Sequence, residues 1–239
     1  MPLSTDNISS GVGTTAVSTF SWAHTVNAAA TSGTLLIAGI HVRSTASSNV
    51  TISSVRWGST AGTTMTLLIL KREQIAARAV ENIALYYLVN PTTGTTRINV
   101  DFGNTSVSHV PIGAAISLQG TSVFQSSGVS SGGATSGAQS VTLATTGAGD
   151  LLIGMFGARA GATPWTTLSG DVIIGGSTGT ATPTLMVRRA PATSGSTTIT
   201  AQKTIAQASL HVGGVAVETT VAPPSLNLIG PLALIGIGQ

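Results

Sequence analysis

Side chains that could carry acid–base or metal chemistry are few in this sequence and widely spaced. The 239 residues include four histidines and seven acidic residues. The histidines are His24, His41, His109 and His211. None belongs to a His-Glu-x-x-His or Asp-x-Asp-x-Asp-Gly spacing, which would bring metal ligands together. Cysteine is absent, which excludes disulfides, thiolate ligands and a cysteine nucleophile.

The acidic and glycine-rich segments do not supply a catalytic motif either. Asp150 follows a Gly-Ala-Gly turn and precedes an apolar run, so a turn cap is its simplest role. Residues 128–137 are rich in glycine but lack the lysine and the following helix of a phosphate-binding loop. We therefore predict a protein that is not an enzyme, with no catalytic residue, no metal ligand and no cofactor.

Three tryptophans are the remaining candidates for a ligand contact. Carbohydrate-binding β-sandwiches stack exposed aromatic rings on the C–H groups of sugars, and Trp22, Trp57 and Trp165 could serve in that way. Aromatic residues make up only 4% of the chain, so the same side chains are also candidates for core or interface anchors. The sequence leaves both roles open.

Charge is scarce and scattered. Charged residues make up 7% of the chain, against about 25% in ordinary soluble domains. The net charge of +3 comes from 10 basic and 7 acidic residues, and basic residues adjoin only at Lys71–Arg72 and Arg188–Arg189. Nucleic acid requires a cationic stripe, so we predict no such partner. A surface of Ser, Thr, Asn, Gln and Gly suits close contact with other protein, because few charges need to be desolvated.

Targeting and membrane segments are not expected. Residues 1–6 have no cationic start followed by an apolar stretch, so we predict no signal peptide. No run of 18 apolar residues occurs, so we predict no membrane partner.

Short apolar or alternating runs between Gly, Ser, Thr, Asn and Pro clusters predict an all-β fold, an antiparallel β-sandwich or jelly roll. The segment 73–88 contains good helix formers, but its alternating apolar residues from 83 to 89 favour a strand. The predicted strands of the first half are Ala16–Val26, Thr34–Val42, Ile52–Trp57, Met65–Leu70, Val80–Val89, Arg97–Phe102 and Val110–Leu118. Those of the second half are Ser140–Thr145, Leu151–Phe156, Val172–Ile174, Thr184–Arg188, Thr197–Gln202 and Leu210–Val217.

The two halves of the chain resemble each other, which predicts an internal duplication. Residues 33–39 resemble 149–155, residues 88–100 resemble 187–200, and residues 108–116 resemble 210–217, which matches His109 with His211. Whether the halves form two sandwiches or one large jelly roll stays open. The predicted division is an N-terminal extension (1–13), a first β-sandwich half (14–122), a Ser/Gly linker (123–139), a second half (140–220) and an extended apolar C-terminal arm (221–239).

The C-terminal arm differs from both halves. It contains Pro223 and Pro224, carries no charge, and would promote aggregation if left in water. It must be covered, either as the last strand of its own sheet or by strand addition to a neighbour. The side chains predicted to make this assembly contact are Leu226, Leu228, Ile229, Leu232, Leu234, Ile235 and Ile237.

Three segments together resemble the β-sandwich, jelly-roll-like modules of phage virion structural proteins. They are residues 83–94, the Val100–Phe102 strand and residues 113–118. The resemblance covers residues 14–221 and transfers no catalytic residue. It implies a structural role in a virion, with assembly in the host cytoplasm, or else on an extracellular surface.

These observations lead to one functional hypothesis and two alternatives. We expect a phage capsid decoration (cement) protein that binds other copies of itself, a capsid protein or a tail protein, and that forms a homo-oligomer. One alternative is a carbohydrate-binding or adhesin module. The other is a self-polymerising extracellular filament subunit.

Overall fold

The secondary structure is built from β-strands alone. The computed structural model describes residues 3–15, 17–27, 33–44, 50–76, 79–103, 110–121, 123–132, 136–145, 147, 149–158, 165–167, 171–177, 184–190, 194–204 and 206–218. Every regular element within these ranges is a strand, and all strand pairs are antiparallel. The predicted all-β antiparallel sandwich fold is confirmed.

The chain forms seventeen strands in the described ranges. The first half contains β1 (Ser4–Val12), β2 (Thr19–Val26), β3 (Thr34–Ser44), β4 (Ser54–Trp57), β5 (Thr63–Thr64), β6 (Thr66–Ala76), β7 (Ala79–Val89), β8 (Gly94–Asp101) and β9 (Ile112–Gln119). The second half contains β10 (Val123–Gly132), β11 (Gly137–Thr145), β12 (Leu151–Ala158), β13 (Trp165–Thr167), β14 (Val172–Ser177), β15 (Thr184–Arg189), β16 (Gly195–Lys203) and β17 (Ser209–Val217).

The strand order of the first half is repeated in the second half. In the first half an outer sheet has the order β2-β8-β4-β5 and an inner sheet the order β1-β9-β3-β7-β6. In the second half the outer sheet is β11-β16-β13 and the inner sheet is β10-β17-β12-β15-β14. Replacing β1–β4 by β10–β13 and β6–β9 by β14–β17 converts one topology into the other. Among the described residues, β5 is the strand without a counterpart.

The two inner sheets pack face to face, so the four sheets stack as outer, inner, inner, outer. An apolar layer joins β2, β4 and β8 to the inner strands β3, β7 and β9. The central layer contains side chains of both halves, from β3, β7 and β9 and from β10, β12, β14, β15 and β17. A third layer joins β11, β13 and β16 to β12, β15 and β17. The molecule is therefore two packed sandwiches.

Burial follows this layer order. All eight residues of β12 and ten of the eleven residues of β3 are buried, because an inner strand is covered on both faces. The outer strands β2 and β11 alternate between buried and exposed positions. This difference explains why the inner strands read as continuous apolar runs, whereas the outer strands show period-two alternation.

Two segments that we predicted to be connectors are strands. The N-terminal extension contains β1, which pairs with β9. The Ser/Gly linker contains β10, which pairs with β17, and the start of β11. Both predictions were wrong for one reason. The two strands occupy equivalent edge positions and carry Ser and Gly where a covered strand carries aliphatic residues, so their hydrophobic pattern is weak.

The strand register also corrects one match in the repeat. Matching residue 35 with residue 151 superposes β3 on β12, and their partners on β9 and β17 are then residues 118 and 216. The offset of the last strand is therefore 216 − 118 = 98 residues. His211 corresponds to Gly113 and not to His109, which lies outside the described residues.

Corresponding positions meet across the central layer, as they do at the axis of a two-fold dimer. The offset between β3 and β12 is 151 − 35 = 116 residues, so His41 corresponds to Gly157 and Gly39 to Met155. A Cβ built on Gly157 would lie 2.7 Å from the His41 ring, and one on Gly39 would lie 2.5 Å from Met155 Sδ. Each pair joins a large side chain to a glycine. Two identical halves would place histidine against histidine, whereas these halves carry complementary side chains at the matching positions.

Equivalent β-bulges help to close the central layer. The edge strand β6 is bulged at Leu68 and the edge strand β14 is bulged at Ile174. Both side chains turn into the central apolar layer, and a bulge is the usual way to re-aim one side chain of a strand. The strand β6 contacts β10 and β17 of the other half, just as β14 contacts β1 and β9.

The close fit at the axis predicts that Gly157→Ala destabilises the protein. The imidazole of His41 is held by hydrogen bonds on both nitrogens, so it cannot move aside, and overpacking of this kind costs about 1–3 kcal/mol. Urea unfolding measures the change. The matched control is Gly147→Ala, where the nearest atom to an added Cβ is 4.0 Å away. Equal free energies of unfolding for the two variants would contradict the tight contact.

Candidate functional site

The three tryptophans proposed as ligand platforms are core side chains. Trp22, Trp57 and Trp165 are 4%, 2% and 3% exposed. Trp22 stacks on Phe20 with ring centroids 5.2 Å apart, whereas Trp57 and Trp165 each meet a histidine ring edge to face. No indole face is open to a sugar, so the stacking hypothesis is wrong for these residues. Their burial agrees with the alternative role as core anchors.

A buried polar cluster joins the two halves at the axis of the molecule. His41 Nε2 lies 2.8 Å from Glu81 Oε1, and His41 Nδ1 lies 2.7 Å from Thr184 Oγ1. His41 and Glu81 belong to β3 and β7 of the first half, and Thr184 belongs to β15 of the second. All three residues are fully buried. In the neutral imidazole whose Nε2–H donates to Glu81, Nδ1 accepts the hydroxyl proton of Thr184.

The order hydroxyl, imidazole, carboxylate is that of a hydrolase triad, but this cluster has no approach for a substrate. Each of its three side chains is at 0% exposure, and the ring face of His41 is covered by Gly157. A catalytic nucleophile must reach a bound substrate atom within hydrogen-bonding distance. The cluster is therefore a polar connection between the two sandwiches.

His24 lies at the centre of a one-directional chain of hydrogen bonds in the first half. Trp22 Nε1 donates to Ser9 Oγ at 3.2 Å, and Ser9 Oγ lies 2.7 Å from His24 Nδ1. On the other side, His24 Nε2 lies 3.2 Å from Ser117 Oγ, which donates to Asp6 Oδ2 at 2.8 Å. When the imidazole is neutral, Ser9, His24 and Ser117 each have one partner for the proton and one for the lone pair, while Trp22 only donates and Asp6 only accepts.

The electrostatics of this chain keep His24 neutral. Burial lowers the pKa of His24 to about 4, although the Asp6 carboxylate acts in the opposite direction. Burial acts to raise the pKa of Asp6. Hydrogen bonds from the backbone and side chain of Asn27 and from Ser117 outweigh that effect, so the pKa of Asp6 lies below its ordinary value.

His211 has a comparable chain in the second half. Lys203 Nζ donates to Ser209 Oγ at 3.1 Å, and Ser209 Oγ lies 2.9 Å from His211 Nε2. His211 Nδ1 lies 2.8 Å from Ser130 Oγ, which donates to the carbonyl of Ser140 at 2.6 Å. Burial, with a smaller effect of the Lys203 charge, lowers the pKa of His211 to about 3. Burial also lowers the pKa of Lys203.

The two histidines have the same structural role but lie on strands that are not equivalent. His24 is on the outer strand β2 and bonds Ser9 of β1, whereas His211 is on the inner strand β17 and bonds Ser130 of β10. The edge strands β1 and β10 are equivalent, and so are β4 and β13, which carry the tryptophans beside the two rings. In both sandwiches a neutral imidazole thus fastens a Ser/Gly-rich edge strand to its neighbours.

Residues 128–132 (Gly-Val-Ser-Ser-Gly) have the Gly-x-Ser-x-Gly spacing of a nucleophile elbow, a match that the sequence analysis missed. An elbow requires a sharp strand-to-helix turn, but this segment lies within the strand β10. The hydroxyl of Ser130 donates to a backbone carbonyl, and its histidine partner has serines on both ring nitrogens. The spacing here marks an edge strand.

An open groove of about 400 Å³ lies on the outer sheet of the first half. Its polar side chains include Arg56, Asn99 and Asp101. Arg56 Nη1 donates to the carbonyl of Thr60 at 2.9 Å, and Asn99 Nδ2 donates to that of Gly58 at 2.7 Å. Each of these side chains thus makes a hydrogen bond within the protein, but Arg56 Nε has no partner among the described residues. The groove volume is sufficient for a small polar ligand.

The exposed apolar side chains are concentrated on the edge strands of the inner sheets. Nine large apolar residues are exposed in the described part of the chain, and eight of them lie on β1, β6, β10 and β14. We name these four strands the lateral edges. The eight residues are Ile8, Val12, Leu67, Leu70, Val123, Val129, Val172 and Ile173.

Charge is distributed unevenly over the lateral edges, since β6 carries Lys71, Arg72 and Glu73. The strands β10 and β14 contain no charged residue, and the carboxylate of Asp6 on β1 is hydrogen-bonded to Asn27 and Ser117. Soluble β-proteins protect their edges with Lys, Pro or a covering segment. The two uncharged edges therefore lack protection by charge, although each contains a β-bulge.

The residues predicted to make the assembly contact lie outside the described residues. They are Leu226, Leu228, Ile229, Leu232, Leu234, Ile235 and Ile237.

The described part of the chain contains no group of three or more His, Cys, Asp or Glu residues that could hold a metal ion. Within the same ranges no helix is long and apolar enough to cross a membrane.

The two buried histidines predict a loss of stability in mild acid. Their pKa values in the folded protein, about 4 and about 3, lie below the ordinary 6.5, so the unfolded state binds more protons as the pH falls from 6.5. Each neutral histidine makes its full contribution to the free energy of unfolding above pH 6.5. By pH 4, protonation of the unfolded state lowers that free energy by about 3 kcal/mol for each histidine. Urea unfolding between pH 7 and 4.5 should show this slope. His24→Gln and His211→Gln should each reduce it, and an unchanged slope in both variants would contradict the assignment.

Comparison with known proteins finds no protein-family model, no curated protein and no solved structure that matches the chain. What the molecule does must therefore be inferred from its own geometry.

Proposed function

We propose that this chain is a structural component of a larger assembly, most specifically a phage capsid decoration protein. The observation that carries the proposal is the pair of edge strands β10 and β14, which have exposed apolar side chains and no charged residue. Open strand edges pair readily with other chains. A protein that stays apart from its neighbours blocks such edges, whereas no strand in the described part of this chain pairs with the free sides of β10 and β14.

The interior supports a mechanical role. The four-layer stack is held by one continuous central layer with side chains from both halves, so the two sandwiches are joined by a core rather than by a hinge. The buried imidazoles of His24, His41 and His211 are each hydrogen-bonded on both ring nitrogens. Polar groups of this kind fix edges and halves in place, as a decoration protein that spans neighbouring subunits requires.

The composition supports the same role. With 7% charged residues, little charge must be desolvated when the surface is covered. The exposed faces of the outer strands carry short hydroxyl side chains that pair across the sheet, such as Thr25 with Thr95 and Thr142 with Thr198. The resemblance of residues 14–221 to virion β-sandwich modules points in the same direction and remains a proposal.

The C-terminal arm provides the test of this function. We expect full-length protein to bind virus particles stripped of their decoration protein, and to raise the temperature at which they release nucleic acid. A chain shortened by residues 225–239 should remain folded by circular dichroism but bind at least about tenfold more weakly, because it loses roughly 600 Å² of apolar contact. Unchanged binding of the shortened chain, or no binding of the full-length chain, would contradict the decoration role. Fibres formed by the pure protein would favour the filament alternative.

The outer groove is the observation that favours the alternative of a carbohydrate-binding module. It would contact a sugar through the side chains of Arg56, Asn99 and Asp101, with no stacked tryptophan. A glycan array would detect such binding, and Asn99→Ala should then weaken it by about 1–3 kcal/mol, the cost of an unsatisfied partner. The matched control is Thr198→Ala on the other outer sheet. No glycan above background would leave the groove without a ligand role.

A further inference from the structure

We propose that the free edge of β10 receives the C-terminal segment Ser225–Gln239 of a second copy of this chain. This inference rests on the proposed assembly function and names the receiving surface. Within the described strands, β10 pairs only with β17, so no described strand pairs with the backbone groups along its other side. An apolar segment that adds a strand here would satisfy those groups and cover exposed side chains.

The side chains of β10 suit an uncharged, apolar partner. Val123 and Val129 are 40% and 46% exposed, and the strand has no charged residue along its ten positions. The strand β6, which contacts β10, adds the exposed Leu67 and Leu70. The arm has no charge either, and residues 232–237 form six consecutive positions without proline, about the length of an average strand.

The exit point of the chain selects β10 among the four lateral edges. The strand β17 ends at Val217, which is paired with Val123 at the start of β10. The arm therefore leaves the described fold one strand from this edge, or about 5 Å away. By contrast, β14 lies at the far side of the same sheet, beyond β12 and β15.

The short distance and the proline pair favour exchange between two copies. To cover its own β10, the arm would have to cross the end of that strand and reverse direction within a few residues. Pro223 and Pro224 favour an extended backbone instead, which disfavours such a reversal. If two copies meet at their β10 edges around a two-fold axis, each arm emerges beside the edge of its partner, and the exchange is reciprocal.

Single cysteines test this pairing cleanly, because the native chain has none. Two full-length preparations with different tags are mixed, one carrying V129C and the other carrying L228C, L232C or L234C, and are then oxidised. We expect a disulfide between the two tags for at least one arm position, about tenfold more than a collision background, because paired strands raise the effective concentration. The matched control is V172C on β14, an equally exposed valine at 43%.

The outcomes separate this inference from the proposed function. Equal cross-linking of V129C and V172C would overturn the choice of β10. A disulfide that forms only within one chain of the V129C/L234C double variant would overturn exchange, because the arm would then cover its own edge. If either result appears while the full chain still binds stripped particles, the decoration role stands and only the β10 site falls.

A second measurement gives the same answer without cysteine. Val129→Lys places a charge on the receiving edge and should convert the oligomer to a folded monomer in light scattering, whereas Val172→Lys should leave it intact. Both valines are exposed, so neither change should affect the core. An oligomer that persists in Val129→Lys would overturn the inference.

Discussion

The apolar layer between the two inner sheets is the constraint on which the rest of the structure depends. An inner strand has no solvent face, so each position must be apolar, small or fully hydrogen-bonded. Along β3 this requirement is met by aliphatic residues, by Gly39 against Met155 and by His41 against Gly157. Because corresponding positions meet at the axis, identical side chains in the two halves would collide there. Complementary pairs of a large and a small side chain are the solution.

The same constraint explains why the buried polar groups occur in chains. A histidine inside a covered layer is tolerated when it is neutral and both ring nitrogens have partners. The chains through His24 and His211 meet this condition with serine hydroxyls, which can donate and accept at once. These hydrogen-bond chains also hold β1 and β10 in place, which is needed because the two strands have little apolar surface to bury. What looks like candidate acid–base chemistry is the means by which two weak edge strands are held.

The sequence predicted the covered strands well and the edges poorly. The predicted Thr34–Val42 and Leu151–Phe156 became β3 and β12 almost unchanged, because burial on both faces leaves an unmistakable apolar run. Strands β1 and β10 were missed because their order comes from pairing and from serine–histidine bonds rather than from hydrophobicity. The short strands β5 and β13 were missed because two or three residues are too few to show an alternating apolar pattern. The roles of the tryptophans could not be decided from the sequence, because burial depends on the layer beneath.

Exposed apolar side chains on strand edges promote aggregation, because unpaired backbone groups and apolar surface lie side by side there. The molecule keeps its outer sheets polar and has bulges on its edges, yet β10 and β14 retain no charge. A single lysine at an exposed valine would protect either strand without disturbing the core. Its absence from both edges of the second inner sheet fits the proposed strand addition. It is what strand addition requires, since a buried lysine would have to lose its hydration when the edge is covered.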